Sequence, residues 1–191
     1  QRLNPLLRPP PCRGRDAKRN KKNKTKSLPN PAQTDSIIVI MFDLNTKIFL
    51  KINGSVGKSR WLDSFGRAGA EWVILAMAGW YAAGVFIVGL PEKFKIIWPL
   101  AVFAVAWCLA WLVGLGLGIS LREPRPYVLN PQTKLLFKPL MSWKTFPSDH
   151  SMSAWLIVFM AYIFYLPSAW ALVPMALWVA WGRVYAGLHY P

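Results

Sequence analysis

Long uncharged apolar runs, separated by short polar breaks, dominate the chain from residue 72 onward. Trp72 to Leu90 holds 19 residues without a charge, and Ile96 to Ser120 is uncharged as well. Ser151 to Leu166 and Ala169 to Gly182 are shorter, the last reaching Gly187 if Arg183 turns inward. Crossing a hydrocarbon core about 30 Å thick takes about 20 apolar residues, so the first two runs suffice and the last two are short. Aromatic residues near their ends (Trp155, Tyr165, Trp170, Trp181, Tyr185) suit anchoring at a membrane interface. The pattern predicts an all-α fold: a polytopic helical membrane protein with four transmembrane helices. Four crossings put the 121–149 loop and the Arg183–His189 segment on one side, and the turns at 91–95 and 167–168 on the other.

Ahead of these runs, Phe42, Leu44, Ile48, Phe49 and Ile52 recur at roughly helical spacing, with Asp43, Lys47 and Lys51 on other faces. This predicts a short amphipathic helix lying at the interface, broken by Asn53-Gly54. Gly54-Ser-Val-Gly-Lys-Ser59 is not a phosphate loop: Ile52 stands where its first Gly is required, and no buried strand precedes it. Asn53-Gly-Ser55 also fits the common glycosylation triplet. Trp61, Leu62 and Phe65 resume the interfacial pattern.

Composition agrees. The 191 residues suit one domain, and 54% hydrophobic content, 11 Trp and a mean hydropathy of +0.27 exclude an ordinary soluble core. The net charge of +15 divides in two. Residues 1–35 carry ten Lys/Arg against two Asp, in a Pro- and Asn-rich stretch with few apolar residues. Residues 1–40 are therefore expected to be a disordered basic head, foreign to the mature protein, with a natural start at Met41. No nucleic-acid partner is expected, because only that head would support one. Cys12 and Cys108 make no disulfide framework; Cys108 reads as a thiol packed like a small hydrophobe. The domain proper is residues 41–191.

Three polar clusters sit at the ends of apolar runs: Arg122-Glu-Pro-Arg-Pro126, Phe146-Pro-Ser-Asp-His150 and Arg183-Val-Tyr-Ala-Gly-Leu-His189. The chain has only two histidines, His150 and His189, and both lie here. Ionisable groups near bilayer depth mark sites or pathways. Arg125 and Arg183 offer planar forks suited to phosphate oxygens. Ser148 adds a hydroxyl, and the start of a helix adds backbone N–H groups. With two imidazoles, one can attack phosphorus while the other protonates the leaving oxygen. Two His and one Asp fall short of a metal set, so no metal or cofactor is expected.

These residues resemble the type 2 phosphatidic acid phosphatase superfamily, whose motifs are Lys-x6-Arg-Pro, Pro-Ser-Gly-His and Ser-Arg-x5-His-x3-Asp. Arg125-Pro126 matches the end of the first, Pro147-Ser-Asp-His150 the second with Asp149 for Gly, and Arg183-x5-His189 the third with Gly182 for Ser. Phe-Pro-Ser-Asp-His, Arg-Val-Tyr-Ala-Gly-Leu-His-Tyr-Pro and the start Met41-Phe-Asp-Leu-Asn-Thr-Lys look most like the bacterial undecaprenyl-diphosphatase branch. The resemblance implies a lipid diphosphatase of the bacterial plasma membrane, multi-pass, with its site on the outer face. It would recycle the cell-wall carrier lipid and confer bacitracin resistance. Its partners would be a polyprenyl diphosphate and the bilayer. Carried over by position, His189 is the nucleophile and His150 the acid, while Arg125, Ser148 and Arg183 hold the phosphoryl group.

Gly118 stands at the Lys of the first motif, and Arg122, one turn before Arg125, is expected to compensate. The Asp that would orient His189 falls two positions beyond Pro191. The expectation is a C-terminally truncated piece of the bundle, with an active parent and a weak or inactive chain as it stands. The alternative substrates are phosphatidylglycerophosphate and phosphatidic acid; the alternative class is a membrane scaffold without chemistry.

Overall fold

The computed structural model describes residues 44–89, 93–139 and 145–191. The basic head 1–40, the start at residues 41–43, part of the turn at 91–95 and residues 140–144 of the polar loop lie outside them. Among the described residues the fold is all-helical, with no strand. The elements run α1 (44–53), α2 (Arg60–Arg67), a π-helical turn (Ala68–Trp72), α3 (Val73–Gly89), α4 (Lys93–Leu121), the short α5 (Pro126–Leu129), α6 (Asp149–Ile163), a 3-10 turn (Ala169–Ala171) and α7 (Leu172–Tyr185).

Among the described residues two stretches are long and apolar enough to cross a membrane: Arg60–Gly89, and Ile96–Leu129, whose long helix α4 ends at Leu121. The first corrects the expected boundary, because the interfacial pattern at 61–65 and the first apolar run form one continuous helix through the π turn. α6 and α7 occupy the third and fourth runs but hold only 15 and 14 residues. At 1.5 Å per residue they reach about 22 and 21 Å, short of a full core. Two of the four expected spans thus reach crossing length.

The core is built from one stripe of each helix. Val73, Met77, Tyr81 and Val85 recur every fourth residue on α3, which stacks them on one face. They meet Ala154, Ile157, Val158 and Ala161 of α6 and Leu172, Ala176 and Val179 of α7. Small residues interleaved with large ones let the helices approach closely, which is how helices gain contact where lipid is as apolar as the core. The Tyr81 hydroxyl, buried on this stripe, donates to the Pro99 carbonyl at 3.0 Å and ties α3 to α4. α4 is the outer helix: 6% of its most apolar window is buried, against 33% for Arg60–Gly89. Its Trp98, Val105, Trp111, Val113 and Leu117 face outward, as does Cys108, which is exposed rather than packed.

The close approach of α7 to the π turn positions the site. A Cβ on Gly182 would lie 2.6 Å from Ala70 N and 2.8 Å from Gly69 C, so the third motif's usual Ser has no room here. Of the five expected interface anchors, Tyr165 and Trp170 are exposed. Trp155 and Trp181 instead line a cleft. Tyr185 is buried, and its hydroxyl donates to Asp63 Oδ1 at 2.6 Å.

Candidate active site

The Arg183-x5-His189 spacing is that of a helix folding back on its own end. Leu188 N–H donates to the Arg183 carbonyl at 3.1 Å and Gly187 N–H to the Val184 carbonyl at 3.0 Å. This pair of bonds is the Schellman arrangement, with Gly187 in the left-handed position at φ +78°. The reversal brings His189 back over Arg183, whose Nη2 lies 3.1 Å from His189 Nε2. The other ring nitrogen, Nδ1, lies 2.6 Å from the Thr145 carbonyl oxygen. A guanidinium only donates and a carbonyl only accepts. The ring is therefore the neutral tautomer with its proton on Nδ1 and its lone pair on Nε2. Burial, with the Arg183 and Arg125 charges next in size, holds the His189 pKa at about 3, so Nε2 is unprotonated at neutral pH and accepts from Arg183.

Arg183 is anchored from below. Its Nη1 donates to the carbonyl of Ala70, inside the π turn, at 3.3 Å; such turns recur at functional sites. Its Nε is buried without a partner. Arg125 is the N-cap of α5, with Pro126 fixing the first helical φ. It is 5% exposed, and its Nε and Nη1 are buried without partners. Buried donors of charged groups left unpaired are costly, and here they cluster on two arginines. The α6 N-terminus adds Ser148 as N-cap, its Oγ accepting from Ser151 N–H at 3.5 Å, and His150 in the first helical turn.

The cleft between these elements has a volume of about 830 Å³. Thr145, Ser148, Arg183 and His189 line its polar end, and Ile52, Leu129, Met152, Trp155 and Trp181 line its apolar walls. Glu123 and Asn45 also line it. Arg122 does not. α4 ends at Leu121, Arg122 turns to φ +48°, and its Nε folds back on the Ile119 carbonyl at 3.2 Å. One turn of spacing puts Arg122 beside Arg125 only on a continuing helix, and residues 122–125 are not helical. Among the described residues no three His, Cys, Asp or Glu gather as a metal set.

Two supporting residues carried no signal in the sequence. Asn53 is fully buried, and its amide bridges three elements. Its Nδ2 donates to the Lys134 and Tyr185 carbonyls, both at 2.8 Å, and its Oδ1 accepts from Lys134 N–H at 2.8 Å. It pins the α7 end to the 133–134 segment and is no exposed glycosylation site. Thr145 acts on His189 through its main chain, which any residue type supplies.

Residues 114–191 match the family model described as the PAP2 superfamily. The Bacitracin transport permease protein BcrC of Bacillus licheniformis is 26% identical over 87 residues, which are 46% of this chain and 42% of that protein. The match thus spans less than half the length of this curated relative. The crystal structure of Aquifex aeolicus LpxE aligns with a TM-score of 0.56 at 25% identity, covering 78% of this chain and 84% of that one. The segment matched to the PAP2 superfamily model contains Arg125, the 147–150 motif and the Arg183–His189 reversal, the stretches on which the sequence resemblance rests.

Proposed function

We propose that the chain is a membrane lipid diphosphatase that hydrolyses undecaprenyl diphosphate to undecaprenyl phosphate and inorganic phosphate. The observation that carries this reading is an unprotonated His189 Nε2 held against the buried Arg183 guanidinium, with further N–H donors of Arg183 and Arg125 buried without partners. A phosphoryl group is the acceptor that such donors fit. The apolar walls of the cleft and the exposed apolar faces of α3 and α4 support an amphiphilic substrate held at a bilayer. The BcrC relative, a bacitracin transport permease protein by name, favours the diphosphate, the form the drug sequesters in the resembling family. In this reading α6 and α7 complete four spans in a bacterial plasma membrane, and the site opens on the outer side.

The chemistry runs in two steps. His189 Nε2 attacks the terminal phosphorus, an N–P bond forms and the bond to the bridging oxygen breaks. His150 delivers a proton to that oxygen, and lipid monophosphate leaves. Water, losing its proton to His150, then attacks phosphorus, and the N–P bond breaks to release inorganic phosphate. Arg125, Arg183 and Ser148 stabilise the equatorial oxygens in both steps. Nδ1–H of His189 stays on the Thr145 carbonyl, which holds the ring as positive charge develops on it.

The test is phosphate release by protein purified in detergent with chelator present. Undecaprenyl diphosphate is compared with phosphatidic acid and phosphatidylglycerophosphate, and wild type with His189→Ala. Release from the diphosphate that His189→Ala abolishes supports the reading. Faster release from the monophosphate lipids would move the substrate to that class, and no release from any of the three would end the enzymatic reading.

A further inference from the structure

Among the described residues, every buried side-chain N or O without a hydrogen-bond partner lies on Arg125, Arg183 or Thr145. The first two are the arginines already placed around the phosphoryl group. The third is a hydroxyl, Thr145 Oγ1, on a residue only 6% exposed that lines the same cleft. Thr145 is held beside the imidazole, because its own carbonyl takes the His189 Nδ1–H at 2.6 Å. The hydroxyl can donate one proton. The Arg125 and Arg183 groups are donors only and cannot receive it. Ser148, the hydroxyl that the motif does single out, is partly engaged as the cap of α6.

We propose that Thr145 is a further substrate-binding residue of this site, its buried hydroxyl donating to a phosphoryl oxygen held beside His189. One residue then serves both partners of the reaction: its carbonyl fixes the attacking tautomer and its hydroxyl holds the group attacked. Four partnerless donor atoms, on two guanidinium groups and a hydroxyl, find one acceptor in the same anion. The inference rests on the phosphoryl-transfer reading and adds a residue outside the three motifs. The competing account is a threonine buried for its methyl group, with a hydroxyl that serves nothing.

Thr145→Val keeps shape and carbonyl and removes the donor; Thr145→Ser keeps the donor and removes the methyl. Each is measured in the detergent-solubilised full chain for inorganic phosphate binding by calorimetry, for phosphate release from the lipid diphosphate, and for the His189 tautomer by 15N NMR. Thr145→Val is expected to weaken phosphate binding about 10-fold, the size of one hydrogen bond to a charged group. It should slow release ~10–100-fold, toward the loss seen for a preorganised oxyanion donor. Thr145→Ser should stay within ~3-fold of wild type, and Nδ1–H should persist in both. If Thr145→Val does not fold, Thr145→Ala takes its place. Wild-type phosphate affinity in the valine variant overturns the proposal, as does a serine variant that falls as far as valine, or a wild-type protein that binds no phosphate. A protein that binds phosphate but hydrolyses no lipid refutes the enzymatic reading alone, and the affinities still decide Thr145.

Discussion

Two glycines with nearly the same φ give a controlled measurement of how the proposed site is held. Gly187 has φ +78° and Gly57 has φ +81°. A Cβ at Gly57 meets nothing within 4 Å, whereas one at Gly187 would lie 2.6 Å from the Lys134 carbonyl oxygen, 3.0 Å from Thr133 Cγ2 and 3.1 Å from Asn53 Nδ2. Gly57→Ala therefore carries only the left-handed penalty, ~1–2 kcal/mol, partly offset by a stiffer unfolded chain, ~0.4–1 kcal/mol. Gly187→Ala carries both of these and an overpacking cost of ~1–3 kcal/mol, because the nearest obstacle is a backbone oxygen that Asn53 pins in place. The predicted destabilisation is about 1–4.6 kcal/mol at Gly187 and about 0–1.6 kcal/mol at Gly57. The functional difference is larger. Gly187 forms the reversal that places His189 Nε2 beside Arg183, and an ångström of misplacement costs on the order of 100-fold in rate. The assay pairs thermal unfolding in detergent with phosphate release below the transition. Gly57→Ala should retain wild-type release and Gly187→Ala should lose ~100-fold or more of it. Equal behaviour of the two variants, in stability or in rate, would refute the argument that the reversal is locked by its contact with the 133–134 segment.

Other expectations follow from the same geometry. Asn53→Asp removes two donors and sets a carboxylate against two carbonyls, so it should lower stability by ~3 kcal/mol or more; a melting point unchanged from wild type would rule out the bridge. Arg125→Met replaces a buried guanidinium by an apolar chain of similar length. The empty protein should melt no lower than wild type while phosphate release falls ~100-fold or more, and a fall in melting point with activity kept would contradict the phosphate assignment. His189 is neutral when folded down to about pH 3, while an unfolded imidazole takes its proton near pH 6.5. The unfolded state then binds more protons, so stability should drop as pH falls from 6.5 toward 3. His189→Gln should flatten that part of the stability profile, and an unchanged slope would mean that the ring is not buried neutral.

Much of the architecture is written in the sequence. A helix satisfies its own backbone polar groups within an apolar run, and the uncharged runs at 96–120, 151–166 and 169–182 became α4, α6 and, after a 3-10 turn, α7 with small shifts at their ends. The residue types of the proposed site also stand out in the sequence, because guanidinium and imidazole at helix ends have few structural uses. Arg125, Ser148, His150, Arg183 and His189 sit at helix ends or in the helix-end reversal, as their positions implied. What stayed hidden has three physical causes. In an apolar run every face is apolar, so hydrophobicity does not choose the inward stripe; close packing by Gly66, Gly69 and Gly182 does, and it buries Tyr185 where an interface anchor was expected. Spacing implies a shared face only while a helix lasts, and the left-handed turn at Arg122 sends that side chain back to Ile119 instead of forward to the site. Finally, the groups that orient His189 and tie down α7 are main-chain carbonyls of Thr145, Lys134 and Tyr185. Every residue type has one, so only the folded chain decides which of them is used.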